Sequence, residues 1–151
     1  MAVPPLVSLL RADTLLAQEQ AASTLGAFAA HSRDLQASIV RAGAVVPLVQ
    51  RLQGDMMQGT AAVALRNLAA SHPENQVVIA QAGAIPPLIK LLADGMPLVR
   101  EASAQALWNL AQDNVANQVA IVQAGAAAPL LALLRGDDQE QAIIALHDAA
   151  E

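Results

Sequence analysis

The tripeptide Ala-Gly-Ala occurs three times, at 42–44, 82–84 and 124–126, and the residues around it recur with it. The spacings are 40 and 42 residues. Upstream, Gln36, Gln76 and Gln118 correspond, as do Ile39, Ile79 and Ile121. Downstream come Pro47, Pro87 and Pro129, then Leu48, Leu88 and Leu130, then Leu52, Leu92 and Leu134. One period earlier, Pro5, Leu6 and Leu10 fall in the same frame, which places the first residues part-way through a unit. A unit of this size cannot bury its apolar faces alone. Stacked neighbours must cover them, which predicts a solenoid with a nearest-neighbour core.

Each unit reads as three helices. The first is short: Glu74 to Ala82 carries Val78, Ile79 and Ala82 at helical spacing, and Pro73 suits an opening position. Gly83 ends it, because glycine takes the left-handed conformation at low cost. The second helix opens at Pro86-Pro87 and runs to Asp94-Gly95. The third, from Pro97 to about Gln112, is the longest. On it Ser103, Ala104, Leu107, Leu110 and Ala111 fall within one arc, with Gln105, Trp108, Asn109 and Gln112 opposite. Equivalent arcs are Ala21, Ala22, Leu25, Phe28 and Ala29, then Ala61, Ala62, Leu65, Leu68 and Ala69, then Ala142, Ile143, Leu146, Ala149 and Ala150. Between its second and third helices the second unit is two residues shorter than the next and lacks the proline of Pro97, so a local disturbance of the twist is expected there.

Composition agrees with helix-on-helix packing. The chain has 151 residues, 55% of them hydrophobic but only 1% aromatic, so small and aliphatic side chains must fill the core. β-Structure normally leans on aromatic and β-branched residues, whereas alanines at helix crossings let backbones approach closely.

The string Asn75-Gln76-x-x-Ile79-x-x-Ala82-Gly83-Ala84-Ile85-Pro86-x-Leu88-x-x-Leu91-Leu92 resembles an armadillo repeat. So does Ala104-x-Ala106-Leu107-Trp108-Asn109-Leu110-Ala111 on the third helix. The resemblance covers essentially the whole chain and implies an all-α, right-handed solenoid of three-helix repeats. It divides the chain into a partial unit 2–32, units 33–72 and 73–114, and a final unit 115–151 with a shortened third helix. Importin-α carries a tryptophan four residues before its groove asparagine. Val63 and Gln105 hold those positions here, so the Leu-Arg-Asn-Leu and Leu-Trp-Asn-Leu strings look closer to the β-catenin, plakoglobin and vacuolar armadillo scaffolds.

The resemblance also implies a function: binding of an extended peptide in a concave groove lined by the third helices. An asparagine on that helix hydrogen-bonds the peptide backbone, since an amide offers both donor and acceptor. Asn67 and Asn109 match it, with bonding to neighbouring loops as the alternative for both, whereas Ala27 and Asp148 stand at the same position in the outer units. Selection among peptide side chains then falls to neighbours on the same arc: Ser23, Val63, Gln105 and Ile144 one turn before, Gly26, Arg66, Trp108 and His147 one residue before, and Gln112 beyond. Trp108 admits two readings. A large ring on a polar face is common at binding hot spots, and it could equally pack flat on Arg66 or the adjacent third helix. Glu19, Glu101, Glu140 and Asp148 outweigh Arg66 on this face, which favours a partner with some positive charge.

Other functions find little support. No nucleotide-binding, metalloprotease or nucleophile-elbow motif is present, and no cofactor is expected, so the chain is not expected to be an enzyme. His31 and His72 read as exposed loop residues one stacking step apart, too far for a shared metal, and His147 lies far from both in sequence. Asp137-Asp138 reads as a helix cap. The formal charge of −5, without a Lys/Arg cluster, argues against nucleic acid. The charge-free run from Asn114 to Leu134 is broken by Gly125 and Pro129, so no membrane span is expected. With zero cysteines and no signal peptide, the expected setting is intracellular, cytoplasmic or nuclear. Val3, Leu6 and Val7 at one end and Ile143, Ile144 and Leu146 at the other leave both ends apolar. The alternative expectation is therefore a truncated or engineered mini-array that self-associates through its terminal repeats.

Overall fold

The computed structural model describes residues 2–54 and 56–133. Among these lie ten helices: α1 (Val3–Leu9), α2 (Leu15–His31), α3 (Arg33–Arg41), α4 (Val45–Leu52), α5 (Gln58–Ala69), α6 (Pro73–Gln81), α7 (Ile85–Asp94), α8 (Pro97–Ala111), α9 (Val115–Gln123) and α10 (Ala127–Leu133). They stack as an all-α solenoid in which short, medium and long helices alternate.

The glycine hinges form as expected. Gly43, Gly83 and Gly125 have φ of 91°, 87° and 86°. A Cβ would meet open space at each, so backbone conformation and not crowding demands glycine. Each hinge closes the same pair of bonds. The Gly43 N–H donates to Val40 O at 3.0 Å and Ala44 N–H to Ile39 O at 3.4 Å; Gly83/Ala84 and Gly125/Ala126 repeat the pattern. This satisfies two otherwise orphaned helix carbonyls and turns the chain sharply.

The N-termini of the short helices carry a second recurring device. Ser32 Oγ accepts from Leu35 N–H at 3.2 Å, His72 Nδ1 from Asn75 N–H at 3.3 Å, and Asn114 Oδ1 from Asn117 N–H at 2.9 Å. His72 is therefore a capping residue and is buried, at 3% exposure, contrary to the exposed-loop reading. His31 is exposed, at the last position of α2.

The core runs as rows of equivalent residues. Leu25, Leu65 and Leu107 are fully buried on the long helices, Leu48, Leu88 and Leu130 on the medium ones, and Ile39, Ile79 and Ile121 on the short ones. Each such side chain contributes about 1.5–3 kcal/mol by leaving water. At the N-terminal end the exposed apolar residues are not the ones expected: Val3 and Val7 are buried and Leu6 half-buried. With these three packed into the shared core, α1 exposes Leu9 instead, and α2 exposes Leu15 and Leu16. The opposite-end residues Ile143, Ile144 and Leu146, like Asp137, Asp138, His147 and Asp148, lie outside the described residues.

The loop before α5 differs from its counterparts. Met57 sits in the left-handed region at φ 68° and gives α5 no side-chain cap, whereas Pro97 opens α8 after an extended Met96. Gln58 compensates by donating through Nε2 to Gly54 O at 2.6 Å.

Candidate functional site

Three long helices, α2, α5 and α8, lie side by side and parallel. Gly59 approaches Val99 near their starts, and Asn67 and Asn109 reach Gly26 and Arg66 further along. Their common face carries most of the residues that sequence reading singled out.

A polar ribbon crosses this face. The Arg66 guanidinium donates through Nη1 to Gln105 Oε1 and through Nε to Asn67 Oδ1, the latter at 3.1 Å. Gln105 Nε2 donates to Glu101 Oε1 at 3.4 Å. The four side chains are all half-buried, and the sole cation among them is already shared between two oxygens. Trp108 is half-buried and packs against the core cluster, which favours the stacking reading for much of its ring.

Asn67 and Asn109 do something that the peptide-ladder expectation did not include. Asn67 Nδ2 donates to Gly26 O at 3.0 Å, and Asn109 Nδ2 donates to Arg66 O at 2.8 Å. Each amide thus ties its helix to the backbone of the preceding long helix. Asn67 is half-buried and Asn109 buried, and the N–H groups of both serve the stack. Gln112 is the C-cap of α8 and borders a separate small recess with Ser71, Pro73 and Gln76, away from the ribbon. His147 and Asp148 lie outside the described residues.

The short helices carry a parallel amide row. Asn75 Nδ2 donates to Gln36 O and Leu68 O at 3.2 and 2.9 Å, and Asn117 Nδ2 to Gln76 O and Leu110 O at 3.3 and 2.8 Å. Their register was legible in the sequence; which carbonyls they serve was not, because those lie seven and about forty residues away.

Beside the ribbon is an open groove of about 340 Å³ between α2, α5 and the start of α8. Sequence reading placed Val63 there but passed over Gly59, Thr60 and Leu98. The available signal was register: Gly59 occupies the position held by Glu19 and Glu101 in the neighbouring units. A larger groove of about 650 Å³ lies on another face, between α4, α5 and α7, with Lys90 and Asp94 at its edge. Among the described residues no cluster of three or more His, Asp or Glu could hold a metal, and no single helix is long and apolar enough to cross a membrane.

Comparison with known proteins bears on this arrangement. The model of the Armadillo/beta-catenin-like repeat matches residues 72–112. No curated protein matches the chain in sequence. Among solved structures, an engineered protein is 34% identical, with a TM-score of 0.93 over 99% of this chain and 63% of its own. A designed armadillo repeat protein in complex with the peptide (KR)4 is 27% identical, with a TM-score of 0.90 over 98% of this chain and 64% of its own. An armadillo-repeats-only protein from Plasmodium falciparum shares the fold at 20% identity, with a TM-score of 0.87 over 98% of this chain and 73% of its own. The chain thus spans under two thirds of the length of the first two. None of these matches separates a β-catenin-like from an importin-like branch.

Proposed function

We propose that this chain, which is an armadillo-repeat solenoid, is a non-enzymatic interaction module that binds an extended peptide across α5 and α8. The observation that carries the reading is the ribbon Glu101–Gln105–Arg66–Asn67, which sets half-exposed donors and acceptors in a line along an open groove. A line of mixed donors and acceptors suits a peptide backbone, which alternates C=O and N–H. The (KR)4 peptide held by a designed relative supports the class of ligand. Among the described residues Glu19 and Glu101 outnumber Arg66 on this face, which favours a partner with basic residues.

In this proposal Arg66, Gln105 and Trp108 meet the ligand, while Asn67 and Asn109 act chiefly by fixing the spacing of the helices that carry them. A peptide array probed with the labelled chain tests it. Arg66→Ala and Trp108→Ala should each weaken bound spots severalfold; Trp108→Ala also lowers the urea midpoint because the ring packs on the core, so both variants are probed without denaturant, where they remain folded. Array binding unchanged in both variants removes the site.

A second reading is association between copies, and the exposed Leu9, Leu15 and Leu16 favour it, with Leu16 at 68% exposure. Light scattering over a concentration series decides: a mass that stays at one chain to high concentration ends this reading.

A further inference from the structure

The register of the long helices puts Glu19, Gly59 and Glu101 at equivalent positions on α2, α5 and α8. The middle member has no side chain. One turn further along, the row reads Ser23, Val63 and Gln105, and after it Gly26, Arg66 and Trp108. The two glycines therefore fall on adjacent helices, and together they leave the open groove of about 340 Å³. Its walls are Ser23 and Gly26 from α2, Thr60 and Val63 from α5, and Leu98 from α8. Leu98 stands 80% exposed and Met96 before it 75% exposed, two large apolar side chains turned to solvent, Leu98 at the rim of the groove.

The glycines are also what bring the helices close enough to shape this floor. A Cβ on Gly26 would lie 3.3 Å from Ala64 Cα, and one on Gly59 would lie 3.3 Å from Val99 Cγ2. The result is a concave apolar site with a carboxylate one helix away on each side. Neighbouring helices pack about 8–10 Å apart, and an extended chain advances about 3.3–3.6 Å per residue. One helix step therefore spans about two to three residues of a ligand.

Resting on the peptide-binding reading above, we propose that this groove receives one branched aliphatic side chain of the ligand, with basic residues two to three positions to either side. The aliphatic group fills the place of the missing Gly59 side chain and covers Val63 and Leu98. The flanking cations meet Glu19 and Glu101. Among the described residues Glu101 accepts one long bond, from Gln105 at 3.4 Å, which leaves acceptor capacity for a cation.

Fluorescence anisotropy with three labelled synthetic peptides tests the proposal: Lys-Arg-Ser-Leu-Ser-Arg-Lys, the same peptide with Ser for Leu, and the same peptide with all four cations changed to Glu. The Leu peptide should bind at least tenfold more tightly than the Ser peptide, about 1.4 kcal/mol. The Glu-flanked peptide should not bind, and the Leu peptide should weaken as salt rises. Ser23→Phe fills the groove from an exposed position, and Leu98→Ser removes its outer wall; both should bring the Leu and Ser peptides to equal affinity without moving the urea midpoint. Equal binding of Leu and Ser peptides to the unaltered chain, with loss in Trp108→Ala, overturns the aliphatic site and leaves the peptide groove standing. No binding of any peptide overturns both.

Discussion

The Asn75 amide serves two buried carbonyls, Gln36 O and Leu68 O, from a side chain only 3% exposed. Asn75→Ala strands both acceptors away from water. It should lower stability by about 2–3 kcal/mol, read as a drop in the urea midpoint at constant m-value. Ser103 presents the opposite case. It is fully buried on α8, its Oγ has no hydrogen-bond partner among the described residues, and alanine holds the equivalent places at Ala21 and Ala61. Ser103→Ala removes an unsatisfied hydroxyl and improves helix propensity, so a gain of about 1 kcal/mol is expected in the same assay. Gly83→Ala tests the hinge: with φ at 87° and open space around the added Cβ, only backbone strain is felt, about 1–2 kcal/mol of destabilisation. At this scale the sequence was informative about glycine and less so about histidine. His72 carries no local sign of burial; its role as cap becomes readable only when Ser32, His72 and Asn114 are set in register and seen to do one job.

The elements followed from periodicity and punctuation. Hinge glycines, opening prolines and the apolar arc of each long helix set the bounds of α6, α7 and α8 closely, because those signals act within a few residues of where they stand. The packing between elements followed less completely. Asn67 and Asn109 were legible as a pair, yet their N–H groups go to Gly26 O and Arg66 O on the preceding helix, some forty residues away. Asn109→Ala should therefore cost about 1 kcal/mol of stability whether or not a ligand is present, which denaturation of the free chain measures directly. A ligand-only role predicts no change there. Gly26→Ala would gain helix propensity but press its Cβ to 3.3 Å from the Ala64 backbone, which cannot yield without parting α2 from α5. The expected net loss is about 1 kcal/mol.

In the whole molecule each long helix is covered by its neighbours, and α5 is sandwiched between α2 and α8. Stability in such an array is a sum over adjacent interfaces. Native-state hydrogen exchange should therefore be slowest in α5 and fastest in α1, which has a neighbour on one side; uniform protection across both would contradict a nearest-neighbour core. The sequence by itself determined the solenoid, its period, its helices and its hinges, because each is written in local spacing and in residues whose backbone preferences are intrinsic. The tertiary structure decided which polar groups remain free for a partner. Arg66, Gln105 and both asparagines read alike in sequence, but their donors and acceptors are allotted by contacts across the stack. It also decided where the surface is hollow, since a groove is the space left when Gly26, Gly59 and Leu98 are brought together, and no one of them encodes it.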